Sequence, residues 1–152
     1  MDVQIAFDNL SKRFDMALAG ADLSTDTGLA TAVIISLFTD RRADAGDQIP
    51  DGTADRRGWW GDTYADEPGD RIGSKLWLLG REKQLAVTAR RAEAFAREAL
   101  QWLIEDGVAR RVGVVAEWSA PGVLGLAIEI ERPDGTPLTF RFSNLWEAMH
   151  AL

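Results

Sequence analysis

The stretch "VGVVAEWSAPGVLGLAIEIERPDGTPLTFRF", residues 112–142, decides how this chain is read. In 112–118, Val112, Val114, Ala116 and Trp118 occupy alternate positions. In 124–131, Leu124, Leu126, Ile128 and Ile130 do the same, with Glu129 and Glu131 on the opposite parity. In 138–142, Leu138, Phe140 and Phe142 alternate with Thr139 and Arg141. Successive side chains of a strand point to opposite faces, so this alternation predicts three strands with one apolar face each. The connections "SAPG" (119–122) and "RPDGTP" (132–137) are short and carry Pro and Gly turn chemistry, which predicts an antiparallel meander.

A sheet with one apolar face needs a cover, and the segment just before it supplies one. In "VTARRAEAFAREALQWLIE" (87–105), Ala92, Phe95, Ala96, Ala99, Trp102 and Leu103 recur at i, i+3, i+4 spacing, while Arg90, Arg91, Glu93, Arg97, Glu98 and Gln101 lie mostly off that stripe. Thr88 is the expected N-cap and Gly107 the expected glycine past the C-terminus. The predicted fold is α+β: an amphipathic helix packed on a C-terminal three-stranded antiparallel sheet, preceded by an N-terminal helix and a long loop. "NLWEAMHAL" (144–152) reads as a final short helix or a tail.

The first part of the chain is less regular. "FDMALAG" (14–20) suggests a short strand, and "DLSTDTG" (22–28) offers Ser24, Thr25 and Asp26 as N-caps. "LATAVIISLFTD" (29–40) is too long for a typical strand and predicts a buried helix, although β-branched Val33, Ile34 and Ile35 weaken helix propensity. Residues 41–58, "RRADAGDQIPDGTADRRG", have no hydrophobic period and read as a loop, with the triplet "DRR" at 40–42 and 55–57 bracketing it. Loops this long are usually functional or disordered. A short apolar patch follows around Leu76, Trp77, Leu78 and Leu79. The expected organisation is one domain over 1–152, with an acidic helix-plus-loop part (1–80) and a helix-plus-sheet part (81–152).

Charge and composition narrow the chemistry. Residues 1–70 carry 14 acidic and six basic side chains, and residues 71–152 carry 10 acidic and 11 basic. No basic field exists to hold phosphates, so nucleic acid is not an expected partner, and the acidic residues read as solvated loops. There is no cysteine, hence no disulfide framework or thiolate metal site. The start has no signal-peptide pattern, and the longest apolar run, 29–38, is too short to span a bilayer, so membrane insertion is not expected.

His150 is the only histidine, and its near-terminal position is a poor place to hold a catalytic base. Asp40, Asp44, Asp47, Asp51 and Asp55 lack the alternating order and terminal Glu of a calcium loop. Glu98 and Glu105 read as helix-surface charge rather than a hydrolytic pair. No nucleotide-binding glycine motif is present. Neither a metal nor a cofactor is expected.

The tryptophans are the unusual feature. Trp77, Trp102 and Trp118 fall at apolar positions of predicted elements and are expected in the core. Trp59 and Trp60, in "DRRGWWGDTY" (55–64), have no regular element to explain them. Adjacent residues of an extended segment face opposite ways, so one is expected to plug the core while the other faces outward. A loop staple and an interface anchor both remain open, because large aromatics and Arg are enriched at binding hot spots.

The blocks "SLFTDRRA" (36–43), "DRRGWWGD" (55–62), "GSKLWLL" (73–79) and "AREALQWLIEDGVA" (96–109) resemble the gene-product-46 family of Mu-like phages, in matching order from about residue 15 to residue 147. That family is similar to a broader one, the W / gene-product-25 baseplate proteins. There the long helix ends in a Glu-Pro-Arg triplet that holds a wedge bundle; here "LIEDG" (103–107) has no Pro or Arg, and only Glu105 can stand in.

The resemblance implies a non-enzymatic structural subunit of a contractile-tail baseplate, assembled in the host cytoplasm and kept in the virion, in symmetric copies expected to number six. Implied partners are other baseplate wedge proteins, the tail sheath protein, and the central hub or spike and tail tube. It also implies sheath initiation by strand addition to the terminal sheet. Expected partner-contact residues are Arg56, Arg57, Trp59 and Trp60 in the loop, with Val112, Val114, Leu138, Phe140 and Phe142 on the outer strands. A tail-associated peptidoglycan hydrolase and a transient assembly chaperone are the alternatives.

Overall fold

The computed structural model describes residues 2–3, 5–8, 13–16, 18–19, 22–23, 25–26 and 28–149. The predicted sheet is present: β7 (Arg111–Ala120), β8 (Val123–Glu131) and β9 (Pro137–Phe142), antiparallel in the order β7-β8-β9. Its register lines up Val114, Ile128 and Phe140 in one row and Ala116, Leu126 and Phe142 in the next. These inner rows are buried or half-buried, whereas Arg111, Val115, Glu117 and Glu129 face outward. On the outer face Arg111 pairs across the sheet with Glu129 and Glu131 at 3.8 and 3.6 Å.

The cover is a helix in two parts, α2 (Ala86–Leu100) and α3 (Trp102–Glu105), separated at Gln101. Its buried stripe is mostly small: Ala89, Ala92, Ala96 and Ala99, then Leu100 and Leu103. Alanines let the helix axis approach the sheet closely, and the larger β8 side chains fill the space between. Gly107, at φ +71°, follows the helix end as predicted, and the Ala109 amide returns to the Leu103 carbonyl at 2.8 Å. Thr88 is not the N-cap. The helix starts at Ala86 after Leu85, with no side-chain cap. The buried Thr88 hydroxyl instead donates back to the Lys83 carbonyl at 2.7 Å, because a residue inside the first turn can reach the preceding loop.

The predicted N-terminal helix is α1 (Leu29–Phe38). Val33, Ile34, Leu37 and Phe38 are buried. The β-branched penalty is at most about 0.7 kcal/mol per residue, whereas burying a Val, Ile or Phe side chain contributes about 1.5–3 kcal/mol, so burial wins. Phe38 sits between Phe14 (5.1 Å) and Phe142 (4.9 Å, edge-on), joining the N-terminal strands to the sheet.

Those N-terminal strands are more numerous than the one expected at 14–20. They are β1 (Asp2–Val3), β2 (Ile5–Asp8), β3 (Arg13–Met16), β4 (Leu18–Ala19), β5 (Asp22–Leu23) and β6 (Thr25–Asp26), paired β1-β6, β2-β3 and β4-β5. Thr25 and Asp26 lie in β6. The N-cap of α1 is Gly28, at φ +84°, and Ser24 lies outside the described residues. The Ile5 amide donates to the Thr31 hydroxyl at 3.2 Å, tying β2 to α1. At the other end α4 (Leu145–Met149) is a short helix, the first of the two readings left open for 144–152, while His150 lies outside the described residues. One hydrophobic cluster runs from Val33 to Ala148. Among the described residues, no helix is long and apolar enough to cross a membrane.

Candidate assembly surfaces

The loop after α1 is built by polar bonds between residues far apart in sequence. At its base the Ser74 amide donates to the Thr39 carbonyl (2.9 Å) and the Arg41 amide to the Ser74 carbonyl (3.0 Å). The buried Ser74 hydroxyl donates to the Leu37 carbonyl at the end of α1, and accepts from the Leu76 amide at 3.3 Å. Gly73 makes this closure possible. Its φ is +94°, and a Cβ there would lie 2.3 Å from the Thr39 carbonyl oxygen.

The two "DRR" copies meet in space. The Ala43 amide donates to the Arg56 carbonyl (2.9 Å), and Arg56 Nε to the Ala43 carbonyl (2.7 Å). Arg42 donates to the Arg57 carbonyl at 3.2 Å, and Arg57 pairs with Asp40 at 2.8 Å. The Arg57 guanidinium also lies 4.4 Å from the centre of the Trp77 ring. Both arginines expected to meet a neighbour are thus engaged within the chain. Trp77 is the loop's staple: it is 6% exposed, and its indole N–H donates to the Arg41 carbonyl at 2.8 Å. Trp102 and Trp118 are half-buried against the main core.

Neither Trp59 nor Trp60 plugs the core. Trp59 is 45% and Trp60 74% exposed, which corrects the expectation of one inward and one outward ring. The reason is local: the chain leaves extended geometry at Trp59 and enters a 3₁₀ turn, Trp60–Tyr64, so strand alternation does not apply. The Trp59 ring folds over Gly61, where a Cβ would lie 2.2 Å from ring carbons. Trp60 packs 5.5 Å from Trp59 and 6.1 Å from Tyr64, itself 78% exposed.

The turn is fixed from below by Asp62, whose Oδ1 accepts from the Ile72 amide at 3.1 Å. The three rings form an outward aromatic shelf beside a concave surface of about 1310 Å³ between α1, residues 59–73 and α2–α3. Exposed Glu105, the candidate stand-in for the missing triplet, lies on the far wall of that surface.

The loop aspartates make turns rather than a ligand cage. Asp47, Asp51 and Asp55 accept backbone amides of Asp44, Thr53 and Arg57 at 2.8, 3.0 and 2.9 Å. Asp44 bonds Lys75 Nζ at 2.9 Å, with Asp47 and Glu98 at 3.8 and 3.7 Å from the same ammonium. The Lys75 hydrogen bond and charge hold the Asp44 carboxyl below its ordinary pKa. Burial pulls the Lys75 pKa down, but Asp44, Glu98 and Asp47 outweigh it and hold it above the ordinary value. Glu98 is therefore a partner of Lys75.

On the sheet, Val114 and Phe142 are buried, and Val112, Leu138 and Phe140 half-buried, all on the face toward the core. Their side chains line the core, so what the outer strands offer a neighbour is backbone. Residue parity showed the apolar face but not which edge groups are taken.

The profile of the family described as Phage protein GP46 matches residues 29–137, from α1 to the start of β9. The chain belongs to that family. It is 50% identical over 130 residues to "Baseplate protein gp46" of Escherichia phage Mu, covering 86% of this chain and 88% of that protein. It is 42% identical over 132 residues to "Mu-like prophage FluMu protein gp46" of Haemophilus influenzae, covering 87% and 89%. The matched span contains the loop, the aromatic shelf and most of the sheet.

Proposed function

We propose that this chain is a structural component of the baseplate of a contractile phage tail or tail-derived particle, acting by binding other proteins rather than by catalysis. The name of the phage Mu relative supports the baseplate role. The observation that carries the binding role is the aromatic shelf. Trp59, Trp60 and Tyr64 are large and exposed, the Trp59 ring lies over Gly61, the three rings pack on one another, and Asp62 ties their turn to Ile72. Rigid aromatics of this kind lose little freedom on binding and dominate interface energetics. The finer reading is a wedge subunit, in six symmetric copies, whose terminal sheet receives a strand and starts the sheath.

Trp60→Ala in purified chain and in assembled particles tests the proposal. Because the ring is mostly exposed, the isolated variant should keep its stability within about 0.5 kcal/mol. Incorporation into particles should fall roughly tenfold, the size of a single hot-spot loss. Normal incorporation of a stably folded Trp60→Ala chain would show that the shelf is not a contact.

A further inference from the structure

We infer that β9 is the edge that receives a partner's strand, and that side chains of α2 keep the β7 edge closed. The inference rests on the strand-addition reading above and specifies where the strand goes.

In an antiparallel ladder, each residue turns its N–H and C=O together, alternately toward one neighbour and the other. In β7, Gly113 faces β8: a Cβ on it would lie 3.8 Å from the Glu129 carbonyl oxygen. Val114 and Ala116 therefore turn their backbone groups away from β8, and α2 takes one group of each. Arg97 Nη2 donates to the Val114 carbonyl at 2.8 Å, and the Ala116 amide donates to Glu93 Oε1 at 3.0 Å. Glu93 and Arg97 are one turn apart on α2 and lie 3.6 Å from each other. Together they supply one acceptor and one donor where an added strand would bond, and their side chains occupy its place beside Val114 and Ala116.

β9 is the opposite case. The Phe142 carbonyl oxygen points at β8, 3.8 Å from where a Cβ on Gly125 would sit. By parity Leu138, Phe140 and Phe142 bond β8, and Thr139 and Arg141 turn their backbone groups outward. Among the described residues none of those outward groups has a hydrogen-bond partner, and both residues are exposed. Leu138 and Phe140 remain half-buried at this flank while Phe142 is buried.

The occupant that fits is an extended segment of a partner protein with alternating side chains. Its apolar positions would cover Leu138 and Phe140, and its polar or acidic positions would lie beside Thr139 and Arg141. Main-chain bonds give such additions their affinity, and alternate side chains give their specificity. Closing one edge while leaving the other open also limits sheet-to-sheet association of the free chain.

Amide hydrogen exchange on the free chain and on assembled particles tests the assignment. On assembly, exchange in the β9 peptide should slow by at least about tenfold at the outward amides, with the β7 peptide unchanged. Protection gained at β7 instead would overturn the edge assignment and leave strand addition standing. No change at either edge would remove both.

Thr139→Pro gives a second readout, because it deletes an outward N–H without removing a bond to β8. It should leave the chain folded by circular dichroism yet exclude it from particles. Free incorporation of a folded Thr139→Pro chain would also overturn the assignment.

Discussion

Leu126, in the middle of β8, and Gly73, at the close of the long loop, are both buried, for unrelated reasons. Leu126 is 2% exposed within a cluster drawn from α1, α2, α3, α4 and the sheet, and what it supplies is apolar volume. Gly73 supplies the lack of a side chain, since the Thr39 carbonyl oxygen occupies the space a Cβ would need. The helix-and-sheet part is held by periodic burial. The segment from Thr39 to Lys75 is held by backbone and polar bonds between residues as distant as Asp40 and Arg57, or Ser74 and Leu37. Both are ordered, but only the first repeats its cause every two or four residues.

The sharpest way to break the contrast is a cavity in the periodic part. Leu126→Ala should cost about 2–5 kcal/mol of unfolding free energy, the range for a buried Leu→Ala change in a packed core. Denaturant titration reads it as a lower midpoint with an unchanged slope. A loss below 1 kcal/mol would mean that the sheet and α2 are not closely packed, and that the loop contributes more than this contrast grants.

Gly73→Ala comes next, at about 2 kcal/mol, from a strained backbone conformation and the clash with the Thr39 carbonyl. Gly46 is the internal control. Nothing lies within 4 Å of a Cβ placed there and its φ is not positive, so Gly46→Ala should be neutral or slightly stabilising. If the two glycines respond alike in melting experiments, the loop is not held by its backbone closure.

The same contrast explains what could be read in advance. The three strands, and α2 with α3, follow from alternation and i, i+4 spacing, because burial repeats with the element's own period, while α1 follows from an apolar run too long for a strand. The limit of Thr88 as a cap is of another kind. The helix starts two residues earlier, at Ala86, and the Thr88 hydroxyl donates to the Lys83 carbonyl instead.

The aromatic pair was visible as an anomaly, but its orientation was not. Nothing in "RRGWWGD" announces that a turn begins at Trp60 or that Gly61 lies under the Trp59 ring. The recurrence of "DRR" is too short to call a repeat. The two copies do meet, through Asp40–Arg57 and Ala43–Arg56, although three residues cannot announce a pairing. The closed edge of β7 had the weakest trace: Glu93 and Arg97 looked like solvent-facing charges off the apolar stripe.

The smallest expected effect tests whether the loop's ion cluster matters beyond its backbone. Asp44 has a lowered pKa, so its contribution is present above the unfolded value of 3.8 and is lost as pH falls through the folded value below that. Lys75 has a raised pKa, so its contribution is complete below 10.5 and is lost only as pH rises beyond that. Between those limits the pair should be insensitive to pH. The Asp44 side chain is 63% exposed, so solvent screens the pair and its contribution should stay under about 1 kcal/mol. Lys75→Met should therefore lower stability by less than about 1 kcal/mol at neutral pH and low salt. The difference from the parent should shrink below pH 4 and in molar salt. A loss above about 2 kcal/mol that persists in high salt would instead place Lys75 among the packed residues of the loop, with its mostly buried stem counting for more than its charge.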